Sequence, residues 1–181
     1  MAKKAIEIKF KKLVPEAQAP YQKYITDAGY DLSAASVEEC AQYIEYGTGI
    51  ALEIPKGMVG LVFPRSSVTG KDLMLKNCVG VIDSEYRGEV RCRFTKIVNE
   101  VFVDAEWEVR VPSPWWKFKF ETIIQKMINF LYPERHLNLY EVGDRVCQII
   151  FMTLPELKII EAEELSSTDR GEGGFGSTGK K

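Results

Sequence analysis

The chain has 181 residues, of which 45% are hydrophobic and 28% charged, and its formal net charge is −2. This composition is ordinary for one folded domain, which excludes disorder of the whole chain, and the balanced charge gives no basic patch typical of nucleic-acid binding. The first ten residues alternate charged and apolar side chains, without the apolar run of a signal peptide or a membrane span. We therefore expect a cytoplasmic protein with neither a membrane nor a nucleic acid as partner.

The four cysteines do not form the pattern of a metal site or a disulfide framework. They are widely spaced within apolar runs, at Cys40, Cys78, Cys92 and Cys147. No CxxC pair occurs, and no histidine stands nearby to complete a zinc site. Because the cytoplasm is reducing, we expect four free and mostly buried thiols.

The pattern at 5–13 predicts the first strand. It places Ile6, Ile8 and Phe10 on one face and charged residues on the other, which is the period of a half-buried strand. Short apolar runs of strand length then recur at 49–54, 58–63, 79–82, 89–98, 106–111 and 145–153. Turns that contain Gly, Pro or Asp separate most of them, so the sequence predicts an all-β barrel or sandwich.

The segment 117–132 has a different period. Its apolar residues fall at helical spacing and Pro133 follows, so we predict one amphipathic helix inserted in the β fold. The helix either packs on its own barrel or a neighbouring subunit, or it forms a docking surface for another protein. The adjacent Trp115 and Trp116 motivate the second interpretation, since tryptophan is enriched at interfaces.

The tail at 166–181 reads SSTDRGEGGFGSTGKK and has no apolar periodicity. We expect a flexible arm. Its glycine amides, hydroxyls and Arg170 are suited to phosphate oxygens, although a disordered solubilising end would have a similar composition.

Two loops also hold polar groups that suit a phosphate or a water molecule. Residues 63–71 place Arg65 and several hydroxyls just after an apolar strand, but they lack the glycines of a Walker A loop and also fit a polar turn. Residues 80–89 place two carboxylates and a tyrosine in a turn between two strands. A carboxylate there could act as a base on water, or the turn could simply be solvated.

Taken in order, five segments resemble the five motifs of the trimeric dUTPase family. They are TDAGYDL at 26–32, PRSS at 64–67, GVIDSEYRGE at 80–89, GDRVCQIIF at 143–151 and RGEGGFGSTG at 170–179. The resemblance covers nearly the whole chain outside 101–137, which is much longer than the short hairpin usual in the family.

The resemblance implies a distorted jelly-roll β-barrel over 1–165, with the helix 117–132 inside the insertion 101–137. It further implies a homotrimer whose active sites are shared between subunits and are closed by the arm 166–181. The implied reaction is hydrolysis of dUTP to dUMP and pyrophosphate with Mg²⁺, which keeps uracil out of DNA and supplies dUMP for dTMP synthesis. The insertion could bind a further protein partner.

The same resemblance implies a role for each site residue. Asp83 would activate the water that attacks the α-phosphate, and Tyr86 would lie against the deoxyribose and exclude ribonucleotides. The groups expected around uracil are Asn77, Gly80, Val81 and Ile82. Those expected around the phosphates are Arg65, Ser66, Ser67 and Gln148. The arm would contribute Arg170, Phe175, Gly176, Ser177 and Thr178, with Phe175 stacked on the base.

Magnesium would be held by the triphosphate and by water, with no direct protein ligand. Asp31 would then either be structural or contact the water around the ion.

Two other interpretations compete with a dUTPase. A dCTP deaminase shares the fold, but its turn usually resembles IDPGF, whereas residues 82–86 read IDSEY. A binding module without activity would not need Asp83, Tyr86, Arg170 and Phe175 together. The sequence therefore favours the hydrolase.

Overall fold

The structure, a computed structural model, describes residues 5–97 and 137–173. The predicted strand at 106–111 and the predicted helix at 117–132 lie outside these residues, as does nearly all of the insertion 101–137.

The described residues form β-strands and one short 3₁₀ helix, Ser66–Gly70. The strands are β1 Lys9–Lys12, β2 Tyr30–Ser33, β3 Ser36–Cys40, β4 Tyr43–Glu53, β5 Met58–Pro64, β6 Leu73–Leu75, β7 Gly80–Ile82, β8 Glu89–Lys96 and β9 Arg145–Thr153. The predicted all-β class is confirmed.

The strands form two antiparallel sheets. The first has the order β1-β4-β8-β6, with β3 also paired to β4, and the second has the order β2-β9-β5-β7. In the second sheet β5 is paired on both sides, with Leu61 opposite Val81 of β7 and Ile150 of β9. This sheet therefore brings the second, third and fourth of the five segments onto neighbouring strands, and β2 adds the first.

Aromatic rings fill one end of the core. Tyr46, Phe94 and Tyr140 meet edge to face, with ring centroids 5.6 to 6.1 Å apart. The buried hydroxyl of Tyr46 donates a hydrogen bond to the main-chain oxygen of Tyr140 at 3.1 Å, and burial raises the pKa of Tyr46 to about 12. The segment after the insertion is thereby fixed to β4 and β8.

The first strand differs from its prediction. It covers only Lys9–Lys12, and the face expected to be half-buried is open, with Ile6 59% and Phe10 46% exposed. These side chains line an apolar groove of about 300 Å³ with Ile8, Pro20, Tyr30, Leu52 and Phe151. The alternating pattern was correct about the strand but wrong about its burial within one chain.

The cysteines agree with their prediction in part. All four thiols are free; Cys92 and Cys147 are buried, whereas Cys78 is exposed. The Cys92 thiol donates to Cys147 Sγ at 2.9 Å, and this contact, together with burial, raises the pKa of Cys147. Separately, no helix among the described residues has the length and apolarity needed to span a membrane.

A buried carboxylate links β4 to β8. Glu45, whose side chain is 7% exposed, accepts hydrogen bonds from Arg91 and Arg93, each at 2.7 Å. Burial alone would raise the pKa of Glu45, but the hydrogen bonds from Arg93 and Arg91 outweigh burial and lower it. A charged residue can therefore be buried near the start of β4 because both of its oxygens have partners.

We expect Glu45→Gln to lower the free energy of unfolding at pH 7 by about 2 kcal/mol, the scale of a hydrogen bond between charged groups. Because the folded pKa is lowered, the stabilisation is fully present above the ordinary value of 4.5 and is lost as the pH falls through the folded pKa. Urea unfolding at a series of pH values from 7 to 3 measures the free energy of unfolding of both proteins. The difference in this free energy between Glu45→Gln and wild type should shrink at low pH.

Glu53→Gln is the matched control, since its partner Lys9 is 72% exposed and Glu53 itself is 53% exposed. Its effect should stay below about 0.5 kcal/mol. A difference for Glu45→Gln that is constant across the pH range would contradict the assigned role.

Candidate active site

The turn between β7 and β8 presents Asp83. The main-chain amide of Tyr86 donates to the main-chain oxygen of Asp83 at 3.1 Å, which closes the turn. Arg87 Nη1 then donates to the main-chain oxygens of Ser84 and Tyr86, at 2.6 and 2.9 Å. A main-chain hydrogen bond and the Arg87 guanidinium thus stabilise the turn. Asp83 itself is exposed to solvent.

A cleft of about 510 Å³ opens beside this turn, and we call it the hairpin cleft. Its lining includes five residues predicted from the sequence: Asn77, Val81, Ile82, Asp83 and Tyr86. The remaining lining residues, Lys76, Glu89, Arg91 and Arg93, were not predicted. Gly80 lies at the edge of this group, since a Cβ built on it would come within 3.7 Å of Asn77 Nδ2.

A second cleft, of about 340 Å³, lies where β2, β5 and β9 meet, and we call it the arginine cleft. Three predicted phosphate-binding residues line it: Arg65, Ser66 and Gln148. Asp31, Arg145, Tyr21 and Lys23 are also in the lining. The structure therefore groups the predicted phosphate residues, but it groups them apart from Asp83.

Asp31 is the centre of the arginine cleft. Its Oδ1 accepts from Arg65 Nε at 2.8 Å and its Oδ2 from Arg145 Nη1 at 3.1 Å. The Arg145 guanidinium also lies 4.4 Å from the centre of the Tyr21 ring. Both carboxylate oxygens thus have arginine partners, and each arginine is held with part of its fork free for an anion.

Ser67 and Arg170 take other positions. The hydroxyl of the exposed Ser67 lies 3.1 Å from the hydroxyl of the buried Tyr140, and Ser67 is not in the lining of the arginine cleft. Arg170 Nε donates to the main-chain oxygen of Gly173 at 2.9 Å and is exposed. The other arm residues expected at the site, Phe175, Gly176, Ser177 and Thr178, lie outside the described residues.

The two clefts lie at opposite ends of β5. Asp83 follows the end of β7 that pairs with Gly60, whereas Arg65 follows the last residue of β5. At about 3.3 Å per residue, the chain from Gly60 to Arg65 spans roughly 16 Å. Reacting groups must come within about 3 to 3.5 Å of one another, so the Asp83 and Arg65 of one chain do not meet on one phosphate group.

Arg145 is the main residue that the sequence reasoning missed. It stood inside the fourth segment, yet nothing local to it indicated a partner, because Asp31 is 114 positions away. The pairing of β2 with β9, in which Ser33 lies opposite Arg145, brings the two together.

The family model for dUTPase matches residues 15–105 and 133–179. The chain belongs to the dUTPase family. Its membership confirms the predicted family and the prediction that the chain is an enzyme.

Bacterial relatives match this dUTPase over nearly its full length. The deoxyuridine 5'-triphosphate nucleotidohydrolase of Corynebacterium diphtheriae is 33% identical over 175 residues, covering 95% of this chain and 92% of the relative. The enzyme of the same name from Nautilia profundicola is 32% identical over 180 residues, covering 97% of this chain and all of the relative.

Solved structures extend the comparison to the fold. The dUTPase of Staphylococcus bacteriophage 80alpha, determined with dUpNHpp, has a TM-score of 0.68 and 27% identity over 97% of this chain and 99% of the phage protein. A mutant dUTPase of phage phi11 of S. aureus, at 20% identity and a TM-score of 0.60, has the same fold, and that protein coordinates a structural Mg(II) ion. The predicted jelly-roll-like fold is confirmed.

We expect Asp31→Asn to weaken the binding of inorganic pyrophosphate about tenfold, measured by isothermal titration calorimetry. The amide can no longer hold both guanidinium groups, so their positions relax and part of the preorganisation is lost. The direction is informative, because the removal of a negative charge would by itself strengthen anion binding.

Asp27→Asn is the matched control. Asp27 lines the same cleft but accepts from the main-chain amide of Tyr24 and not from an arginine. Pyrophosphate should bind this variant at least as well as wild type. Equal affinity in Asp31→Asn and Asp27→Asn would show that Asp31 does not organise the arginines.

Proposed function

We propose that the chain hydrolyses dUTP to dUMP and pyrophosphate, with Asp83 as the base that activates the attacking water. The observation that supports this most directly is the exposed Asp83 carboxylate in one cleft with Asn77 and Tyr86. Phosphoryl transfer needs chiefly a positioned nucleophile and neutralised charge. The Asp83 carboxylate, in a hydrogen-bonded turn, would position the nucleophilic water. The attack on the α-phosphate would leave pyrophosphate as the departing group.

The edge of β7 is where we place uracil. Among the described residues β7 pairs with β5 alone, so its other edge carries main-chain donors and acceptors without a strand partner. Gly80, Val81 and Ile82 would hydrogen-bond the base through these groups, with Asn77 beside them. Such a site disfavours cytosine, because a mismatched polar edge leaves buried groups unsatisfied. Tyr86 would close the sugar side against a 2′-hydroxyl.

The arginine cleft is where we place the phosphate chain. Arg65, Ser66 and Gln148 would bind it, and Arg145 joins them through its shared partner Asp31. Ser67, whose hydroxyl contacts that of Tyr140, would join them from outside the cleft lining. Arg170, Ser177 and Thr178 of the arm would engage the γ-phosphate while Gly176 and Phe175 cover the base, and closure of the arm would exclude water.

Magnesium fits this arrangement as an ion bound through the substrate. Both Asp31 oxygens already accept from arginines, so Asp31 serves the phosphate site through Arg65 and Arg145. We therefore place Mg²⁺ on the triphosphate oxygens and water. When bound, the ion would neutralise charge on those oxygens.

Association of three chains would unite the two clefts. The span of roughly 16 Å along β5 separates Asp83 from Arg65 in one chain, so a site with both groups would take them from different subunits. Exposed apolar surface supports association: the groove beside Phe10 is open, and the segment after β9 exposes Leu157 by 78% and Ile159 by 97%. We propose a homotrimer whose arms, 166–181, complete the sites.

In the cell this reaction would keep uracil out of DNA and supply dUMP for dTMP synthesis, in the cytoplasm. The insertion 101–137 would either pack on the trimer or bind a protein partner.

We expect wild type to release pyrophosphate from dUTP with Mg²⁺ and to leave dCTP, dTTP and UTP nearly untouched. Asp83→Asn should lower kcat by about 10²- to 10⁴-fold, the range for loss of a general base, without loss of dUTP binding. Glu85→Gln is the control, since it removes an exposed carboxylate from the same turn. Ammonia release from dCTP, or full activity of Asp83→Asn, would contradict the proposal.

We expect two inactive variants to restore each other when they are unfolded and refolded together. In an equal mixture of Asp83→Asn and Arg65→Ala chains, about one quarter of the shared sites receive an intact Asp83 from one subunit and an intact Arg65 from a neighbour. Activity should rise toward that fraction of wild type. If both groups came from the same chain, the mixture would stay inactive.

A further inference from the structure

Gly88 lies against the hydroxyl end of the Tyr86 ring. A Cβ built on Gly88 would stand 2.4 Å from the Tyr86 hydroxyl oxygen, 2.5 Å from Cζ and 2.9 Å from Cε2. These separations are far below the 3.5 to 4.0 Å at which carbon atoms make favourable contact. With the ring in this place, no side chain fits at position 88.

The backbone does not require glycine at this position. The glycines with positive φ in the described residues are Gly49, Gly57, Gly143 and Gly171, so Gly88 has a conformation that other residues adopt. Space is therefore the reason for the missing side chain. Tyr86 needs the room that a Cβ would fill.

The hydroxyl of Tyr86 has a fixed acceptor. It donates to the main-chain oxygen of Glu89 at 3.0 Å. Glu89 is anchored in turn, since its Oε1 accepts from the amide of Gly49 at 2.8 Å and its Oε2 from Arg91 Nε at 2.8 Å. The hydroxyl end of the ring is thus hydrogen-bonded to a residue that contacts in β4 and β8 hold in place.

We propose that Gly88 is a positioning residue for sugar selectivity, which rests on the role proposed for Tyr86. Tyr86 has 45% of its surface exposed, and two features fix its position. They are the space left by the missing side chain of Gly88 and the hydrogen bond to the main-chain oxygen of Glu89. A methyl group at position 88 displaces the ring by roughly 1 Å, breaks that hydrogen bond and turns the ring toward solvent. The Tyr86 ring then no longer blocks the space that a 2′-hydroxyl would occupy.

The test compares kcat/KM for dUTP and for UTP in wild type and Gly88→Ala. The ratio of the two values should fall at least tenfold, mainly because UTP hydrolysis rises. Gly70→Ala is the control, since a Cβ there meets no atom within 4 Å and the φ of Gly70 is not positive. A wild-type ratio in Gly88→Ala overturns the proposal.

A double-mutant cycle with Tyr86→Ala shows whether Gly88 acts through the ring. In the Tyr86→Ala background, Gly88→Ala should leave the dUTP to UTP ratio unchanged, because the displaced group is already absent. The same fall in both backgrounds overturns the proposal. If Gly88→Ala does not fold, the double variant should fold because the clash is gone, and failure of both to fold also overturns it.

Failure of the proposed function gives a separate result. No pyrophosphate release from dUTP by wild type would reject the reaction and leave the role of Gly88 to be decided from atomic positions. A crystal structure of Gly88→Ala should then show the Tyr86 hydroxyl more than about 3.5 Å from the main-chain oxygen of Glu89, outside hydrogen-bond range. A ring still in its original place would overturn the inference.

Discussion

Strand β5 determines where the functional groups of the second sheet lie, because it pairs with β7 on one side and with β9 on the other. The antiparallel register sends Asp83 to one end of β5 and leaves Arg65 at the other. Neither group can slide along the sheet, since a change of register would turn the buried side chains of three strands toward solvent. The division of the site into two clefts is therefore a property of strand pairing and not of loop conformation.

Each sheet contains a carboxylate paired with two arginines, and the two carboxylates differ in position. In the first sheet, Glu45 is buried and serves β8, where its arginines cover it from solvent. In the second sheet, Asp31 pairs with Arg65 and Arg145, and all three line a surface cleft. A similar pairing of one carboxylate with two guanidinium groups thus links two strands in one place and lines the proposed phosphate cleft in the other.

The sequence allowed β5, β8, β9 and the order of the five segments to be predicted, because apolar runs such as 58–63 and 145–153 reflect burial directly. The run 49–54 predicted only the second half of β4, which covers Tyr43–Glu53. Strand β3 escaped prediction because four of its five residues are exposed, and the short strands β2 and β6 were missed as well. The turn at Asp83 was predicted from residues adjacent in the chain. Arg145 was not, since its pairing with Asp31 depends on a register between strands far apart in sequence.

The shortness of β7 has a consequence for aggregation. An open strand edge commonly acts as a template on which another chain can extend a sheet. Strand β7 covers three residues, roughly 10 Å of edge, and the turn that follows it carries the charges of Asp83, Glu85 and Arg87. That edge is too short and too charged to recruit a foreign strand, yet it is long enough for one pyrimidine ring. The length of the β7 edge would thus allow a nucleobase to bind there but not a peptide strand.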